Sequence, residues 1–225
     1  MAVKKEEEVI EIRPLKVVET KIIIVGDTPL IMHAWSSKAK RILLESMQGK
    51  KKGKEKDAKN PVREFIDAAY WLSGKPELAD NAGEAECEAA YDAAIEAGAR
   101  FGFPVAAIKQ AATSAPYRLG WVKNKMGLRG AFFIHDDADG MVEIHSDPPV
   151  MREDLVRIGM GKPDLRYRPQ FNNWWAELRI SYNASGDISL DAIINAINAG
   201  GYVCGLGEWR PERDGDYGQF HVKAN

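Results

Sequence analysis

The chain has 225 residues, of which 45% are apolar and 28% charged, and its net charge is −2 at neutral pH. This composition is typical of a globular protein, and the length predicts a single domain, residues 1–225, with insertions. No apolar run approaches the roughly 18 residues that span a bilayer, and the N-terminus lacks the apolar core of a signal peptide. We therefore expect a cytoplasmic protein with no membrane partner. Cys87 and Cys204 have no CxxC spacing and predict neither a zinc site nor a disulfide framework.

The small net charge conceals a strong segregation of charge along the sequence. Residues 38–63 include ten basic and three acidic residues, residues 77–96 include seven acidic and no basic ones, and residues 100–129 include six basic and no acidic ones. Each block can be a solvated helix face. The two basic blocks can also attract a polyanion, and the acidic block can contact a basic block of a neighbouring subunit.

The first half of the sequence predicts a strand, a helix and an insertion. The β-branched run VVETKIIIV indicates a strand, which is followed by a turn at Gly26–Asp27 and an extended segment that ends near Trp35. The segment SSKAKRILLESM predicts a helix with a serine N-cap. Residues 48–60 predict a mobile basic loop, because they have almost no apolar side chains. Residues 61–99 predict a helical insertion with two helices, NPVREFIDAAYWLSG, capped by Asn60, and the acidic, alanine-rich GEAECEAAYDAAIEAGA.

The second half of the sequence predicts two further helices and several strands. FPVAAIKQAATSAPYRLG predicts a helix that starts at Pro104 and ends before Pro116. GAFFIHDDADGMVEIHS predicts a β-hairpin, PDLRYRPQFNN an irregular segment, and WWAELRISYN a strand in which Trp174 and Trp175 divide between core and surface. SLDAIINAINAGG predicts a helix capped by Ser189, and GQFHV a final strand. This order predicts an α+β fold with a ferredoxin-like (RRM-like) βαββαβ core.

A glycine-rich stretch, GGYVCGLGEWRPERDGDYGQF, connects the last predicted helix to the last predicted strand. Its glycines can adopt positive φ angles and permit close approach of another chain or a ligand. Arg210 and Arg213 could contact phosphates and Trp209 could stack on bases, which is the usual chemistry of single-strand binding. In the alternative interpretation this is an ordinary loop in which Trp209 covers the core and Arg210 pairs with Glu208 or Glu212.

Three segments, IIIVGDTPLIMHAWS, RFGFPVAAIKQAATSA and INAGGYVCGLGEWRPERDGDYGQF, resemble the RAMP superfamily, the RRM-like backbone and processing subunits of CRISPR effector complexes. The resemblance implies a ferredoxin-like core with a glycine-rich loop before its last strand. It also implies subunits that coat a single-stranded guide RNA as a helical filament, with a basic palm and an inserted thumb that kinks the strand. By position in that family, the palm would include Trp35, Lys38, Lys40 and Arg41, the proline-led helix Lys109, and the glycine-rich loop Trp209 and Arg210.

These observations favour a nucleic-acid-binding protein, not an enzyme and without a cofactor, that self-associates head to tail along single-stranded RNA or DNA into a filament. Lysines and arginines of the basic blocks would contact phosphates, and tryptophans would stack on bases. The basic loop would be a strand clamp or a solvated linker, and DLRYRPQF suits either nucleic acid or a protein interface. The predicted binding residues are Trp35, Lys38, Lys40, Arg41, Lys50, Lys51, Lys52, Lys109, Arg118, Trp121, Lys123, Lys125, Arg166, Arg168, Trp209, Arg210 and Arg213.

Two other functions fit the sequence. In the first, the protein is a structural assembly subunit, of virion or tail type, in which the charge blocks join neighbouring subunits and no nucleic acid is bound. In the second, Asp136, Asp137 and Asp139 hold a metal ion in a nuclease, although their place at a hairpin tip makes ordinary turn chemistry the stronger interpretation. His33 and His145 lie in predicted strands, where a lone histidine is more often a core or surface residue than a catalyst.

Overall fold

A computed structural model describes residues 14–49, 59–158 and 161–224. Over these residues the chain has three antiparallel sheets and six α-helices, which confirms the α+β class. The strands are β1 Val17–Gly26, β2 Leu30–Ile31, β3 Trp71–Ser73, β4 Arg100–Pro104, β5 Phe132–His135, β6 Met141–Ile144, β7 Val150–Ile158, β8 Lys162–Phe171, β9 Trp175–Asn183 and β10 Phe220–Val222. The helices are α1 Ser37–Met47, α2 Pro61–Ala68, α3 Glu84–Glu96, α4 Val105–Arg118, α5 Met126–Ala131 and α6 Leu190–Val203, and Pro211–Arg213 forms one turn of 3-10 helix.

A four-stranded sheet with the order β10-β1-β9-β5 carries the main core. Alternate residues of β9 are fully buried, at Ala176, Leu178 and Ile180. Ile108 of α4 and Ile193 of α6 belong to the same core cluster, so these two helices pack against the buried face of the sheet. In chain order the elements of this layer pair are β1, α4, β5, β9, α6 and β10.

The other two sheets come from segments between these elements. One has the order β2-β8-β7, in which β7 and β8 form a long hairpin from the Val150–Gln170 pair to the Ile158–Lys162 pair. The other has the order β3-β4-β6. A second, smaller core lies between α2 and α3, where Val62, Phe65 and Ile66 pack with Cys87 and Tyr167 of β8 packs against them. In the described part of the chain, no helix has the length and apolarity that a membrane crossing requires.

Local capping signals correctly predicted where three of the helices begin. The Ser36 hydroxyl accepts the Ala39 N–H (3.1 Å) at the start of α1, and the Asn60 side chain accepts the Arg63 N–H (3.0 Å) at the start of α2. Ser189 caps α6 in the same way. The two tryptophans that precede and begin β9 also divide as expected, since Trp174 is 1% exposed and Trp175 39%. Most of the predicted loop 48–60 lies outside the described residues.

The predicted hairpin at residues 130–146 is wrong. Both strands exist, but β5 pairs with β9 in the four-stranded sheet and β6 pairs with β4 in another sheet. Between them Asp139 and Gly140 adopt positive φ angles and turn the chain. Each strand therefore pairs with a strand that is distant in sequence. The two strands do not pair with each other, although the turn between them resembles a hairpin turn.

Three further predictions are corrected by the structure. The helix α4 does not end before Pro116 but continues to Arg118, where the Leu119 N–H still donates to the Ala115 carbonyl (2.9 Å). The residues YWLSG were predicted as helix, but Trp71–Ser73 within them form β3 instead. The segment PDLRYRPQFNN is not irregular, because most of it is β8. A proline cannot donate a hydrogen bond within a sheet, but its carbonyl can still accept one, and the Pro169 carbonyl accepts the Met32 N–H (3.0 Å).

Candidate nucleic-acid interface

The glycine-rich stretch forms a loop, residues 205–218, with a tightly defined backbone. Gly205, Gly207 and Gly218 have φ angles of +64°, +75° and +68°, which residues with a Cβ rarely adopt. The Leu206 N–H donates to the Gly218 carbonyl (2.9 Å) and closes the loop. A Cβ at Gly218 would lie 1.9 Å from the Leu206 carbonyl oxygen, so this approach requires glycine. The loop therefore presents its side chains from a fixed backbone.

Within this loop, Glu212 pairs with two arginines. Its Oε1 lies 2.8 Å from Arg118 Nη2 and its Oε2 lies 3.0 Å from Arg210 Nη2, while Arg210 Nη1 donates to the Gly207 carbonyl (2.9 Å). Burial acts to raise the pKa of Glu212, but the hydrogen bonds and charges of Arg210 and Arg118 outweigh it and hold that pKa below its ordinary value. The Arg210–Glu212 pair is the one that the ordinary-loop interpretation predicted. The Glu212 carboxylate and the two guanidinium groups together have a net charge of +1, but the same loop also contains Glu208, Asp214 and Asp216.

The shared carboxylate joins the glycine-rich loop to the segment after α4, because one of the two arginines is the last residue of that helix. The segment after α4 exposes Trp121 (60%) and Lys123. The glycine-rich loop exposes Trp209 (39%) and Arg213. We call these four side chains the twin-loop surface, since each loop contributes one tryptophan and one cation. Aromatic faces combined with cations are what proteins use to bind single strands.

A cleft of about 170 Å³ adjoins the glycine-rich loop. His33 Nδ1 lies 3.4 Å from Glu208 Oε1 in this cleft. The hydrogen bond from His33 and the charge of Arg168 lower the pKa of Glu208, which is therefore ionised at neutral pH. Burial and the Glu208 charge raise the pKa of Tyr70. The lining residues are His33, Tyr70, Phe103, Ala107, Gln110, Ala111, Gly205, Leu206, Gly207, Glu208, Arg210 and Glu212. Two carboxylates beside one arginine do not favour a phosphate in this cleft.

The residues predicted for the palm lie in another part of the chain. Trp35 is 59% exposed just before α1, and Lys40 and Arg41 are exposed on that helix. The side chain of Lys38 and the whole of Lys50, Lys51 and Lys52 lie outside the described residues. Among the ion pairs and hydrogen bonds of the described residues, none links α1 to the twin-loop surface.

Two of the predicted lysines have contacts within the chain. Lys109 Nζ lies 4.2 Å from the centroid of the Phe133 ring, and burial lowers the pKa of this lysine. Lys125 Nζ donates to the Ser114 hydroxyl (3.0 Å). Lys125 lies two residues after Lys123 of the twin-loop surface in the sequence.

The two predicted arginines of β8 have different environments. Arg168 is 6% exposed, and its Nη1 lies 3.2 Å from Oδ2 of Asp154, which is 5% exposed. A phosphate therefore has no access to Arg168, and the assignment of this residue to the binding site is corrected. Arg166 lies nearer the surface, with its Nε 2.8 Å from Asp164 Oδ2. Arg166 and Arg168 are two residues apart on β8 and so share a face of the strand, but only Arg168 is buried.

The aspartates of the turn between β5 and β6 make turn contacts. Asp136 accepts the Gly140 N–H (2.9 Å), and Asp137 accepts the Glu143 N–H (2.8 Å). Within the described residues, no group of three histidine, cysteine or acidic side chains is placed to hold a metal ion.

Sequence reasoning named Glu208, Glu212 and His33 one at a time but did not bring the polar groups of the cleft together. Glu208 and Glu212 lie in the glycine-rich stretch that the sequence singled out, so that stretch was the signal for them. His33, Tyr70 and Gln110 come from three other segments, and no local pattern relates them. No protein-family model matches the chain, and a search of curated proteins finds no similar sequence.

Proposed function

We propose that this protein binds single-stranded nucleic acid and self-associates along the strand, with no catalytic step of its own. The observation that carries the proposal is the twin-loop surface, in which Trp121 and Trp209 are exposed on two loops joined by Arg118 and Glu212. Indole rings stack on bases of any sequence, and nearby cations attract the backbone. Glu212 precedes Arg213 and Asp214 and Asp216 follow it in the chain, so we expect stacking to contribute more than charge at this loop.

We infer that the four-stranded sheet with α4 and α6 is a ferredoxin-like core. The chain order β1, α4, β5, β9, α6, β10 supports this inference, because it is a βαββαβ order. The antiparallel sheet order β10-β1-β9-β5, with both helices in the core on one face, also supports it. The β2–β4 elements are then an insertion before the first helix, and β6–β8 an insertion between the middle strands.

The β7–β8 hairpin suits the inserted thumb that the RAMP resemblance implies. Leu155 and Leu165 lie opposite each other on this hairpin and are 68% and 36% exposed. Apolar side chains of this kind can wedge between neighbouring bases and kink a strand.

Both cysteines, Cys87 and Cys204, are buried free thiols, which fits a reducing compartment such as the cytoplasm.

The proposal is tested by replacing the twin-loop side chains one at a time and measuring affinity for labelled single-stranded oligonucleotides. We expect Trp121→Ala and Trp209→Ala each to cost about 1–3 kcal/mol of binding free energy, because each removes a stacking face. Trp209→Phe should keep most of the affinity, since a phenyl ring still stacks. Lys123→Ala should lower the slope of log affinity against log salt by about one.

The control is Lys223→Ala, which removes an exposed lysine beyond β10 and should leave both affinity and salt slope unchanged. If Trp121→Ala and Trp209→Ala bind as tightly as the parent chain, the twin-loop surface is not the binding site. If the parent chain binds no strand at low salt, the proposal is wrong, and the structural assembly subunit is the interpretation that is left.

A further inference from the structure

Among the described residues, helix α1 is the helix with the least buried side chains. Of its side chains described from Ala39 to Met47, only Ile42 is not exposed. Leu43, Leu44 and Met47 are 46%, 56% and 78% exposed. Three neighbouring apolar side chains open to water on one helix are unfavourable, and an 11-residue helix is marginal in water without packing. The exposure of these side chains therefore favours a partner surface for this helix.

The exposed face of α1 combines apolar and basic side chains. Lys40 lies one turn before Leu43 and Leu44 on the helix surface, and Arg41 lies one turn before Leu44 and Glu45. Lys40 and Arg41 are both exposed. A complementary surface would be acidic, with small side chains that leave room for leucine and methionine.

Helix α3 offers such a surface on the same chain. Glu88, Asp92 and Glu96 are exposed at intervals of four residues and so form one stripe along the helix. Exposed alanines at positions 85, 89 and 93 form the adjacent stripe, because each lies three residues before one of these carboxylates. The acidic residues in the first turn, Glu84 and Glu86, add to the negative charge, and α3 has no basic residue. The two helices have 11 and 13 residues, or about 17 and 20 Å, so their lengths match.

We propose that α1 of one copy docks on α3 of a second copy of this chain. Leu43, Leu44 and Met47 pack over the alanine stripe, while Lys40 and Arg41 face the carboxylates. The two surfaces lie at different places on each chain, so the contact is head to tail and repeats from copy to copy. In this assembly the two cations, predicted from the sequence as strand contacts, are subunit contacts.

This proposal goes beyond nucleic-acid binding, because the contact requires no strand. A single helix pair is smaller than the roughly 1,200–2,000 Å² of a standard stable interface, so we expect association that is weak and depends on protein concentration. A strand that gathers several copies would strengthen it by raising their effective concentration.

The test is sedimentation velocity of the full chain over a range of concentrations, without nucleic acid. The parent chain should form species larger than a dimer as concentration rises. The double variants Lys40→Glu/Arg41→Glu and Glu88→Lys/Asp92→Lys should each associate roughly tenfold or more weakly, because like charges then face each other. An equal mixture of the two variants should regain the association of the parent chain, because every α1 then meets an α3 of opposite charge.

The matched control is Lys162→Glu/Lys223→Glu, which reverses two exposed lysines elsewhere and should associate as the parent chain does. Circular dichroism of each variant checks that it is folded. The proposal is overturned if the parent chain stays monomeric at every concentration, if either charge-reversed variant associates normally, or if the mixture associates no better than its components. A parent chain that self-associates but binds no strand would refute nucleic-acid binding and leave the α1–α3 contact intact.

Discussion

At the scale of single residues, Arg168 was predicted to contact nucleic acid but forms a buried ion pair with Asp154, so it stabilises the fold. Asp154 also lies 2.7 Å from Arg152 Nε, so it is held between two arginines. Arg168 Nη2 lies 4.0 Å from Glu208 Oε2, which relates the β7–β8 hairpin to the glycine-rich loop. The Arg168 side chain thus links two elements that flank the cleft.

We predict that Arg168→Ala lowers the free energy of unfolding by about 3 kcal/mol, because it removes one partner of a buried ion pair. This loss of stability is at the low end of the range for broken buried ion pairs, because Arg152 still contacts Asp154 in the variant. Urea unfolding followed by tryptophan fluorescence measures this change.

Arg166→Ala is the control for this substitution. It removes the same side chain two residues away on the same strand, where the pair with Asp164 lies near the surface. We expect a loss below about 1 kcal/mol. Equal losses at the two positions would show that burial of Arg168 does not determine its contribution.

At the scale of elements, the packing of α6 depends on two adjacent glycines. A Cβ at Gly200 would lie 2.8 Å from the Ala112 nitrogen of α4, and a Cβ at Gly201 would lie 1.9 Å from the Phe220 carbonyl oxygen of β10. The absence of side chains at these positions therefore allows α6 to approach both α4 and the edge strand of the four-stranded sheet.

We predict that Gly201→Ala lowers the free energy of unfolding by about 3 kcal/mol, because the helix must move away from β10. Gly130→Ala is the matched control: Gly130 lies in α5 and a Cβ there would have no heavy atom within 4 Å, so alanine should be neutral or slightly stabilising. Thermal or urea unfolding of both variants provides the comparison. A Gly201→Ala chain as stable as the parent would mean that this contact is not tightly packed.

Elements with local signals could be predicted from the sequence, and elements defined by distant partners could not. The caps Ser189 and Asn60 and the alternation of β9 depend on residues close together in the chain. The pairing of β5 with β9 and of β6 with β4 depends on residues tens of positions apart, so the intervening turn gave a misleading signal. The strand β7 is rich in charged residues, so its composition does not indicate a strand. Its backbone pairing with β8 makes it one.

The candidate site divides in the same way. The glycine-rich loop and its Trp209 and Arg210 could be predicted, because glycines and aromatic residues in one stretch are a local pattern. The contact between Arg118 and Glu212 joins residues 94 positions apart and could not be predicted. Nor could the burial of Arg168, since the depth of a strand residue depends on what packs over it.

At the scale of the whole molecule, charge segregation along the sequence corresponds to separate surfaces. The block of residues 77–96 includes the acidic helix α3, and part of the block 38–63 forms helix α1 with its exposed Lys40 and Arg41. The block 100–129 contributes Trp121 and Lys123 to the twin-loop surface. A net charge near zero therefore permits both a strand-binding surface and a contact between copies, because the two use different parts of the chain.

The measurement that tests strand binding most directly is fluorescence anisotropy of the purified chain with labelled single-stranded RNA, single-stranded DNA and duplex DNA of one sequence, at two salt concentrations. We predict that the chain binds a single strand more tightly than the duplex and that this binding weakens as salt increases. The binding curve should be steeper than that of a single independent site, because copies associate along the strand. The preferred sugar identifies the natural strand. No binding to either single strand at low salt, or equal binding to the duplex, would contradict the proposed function.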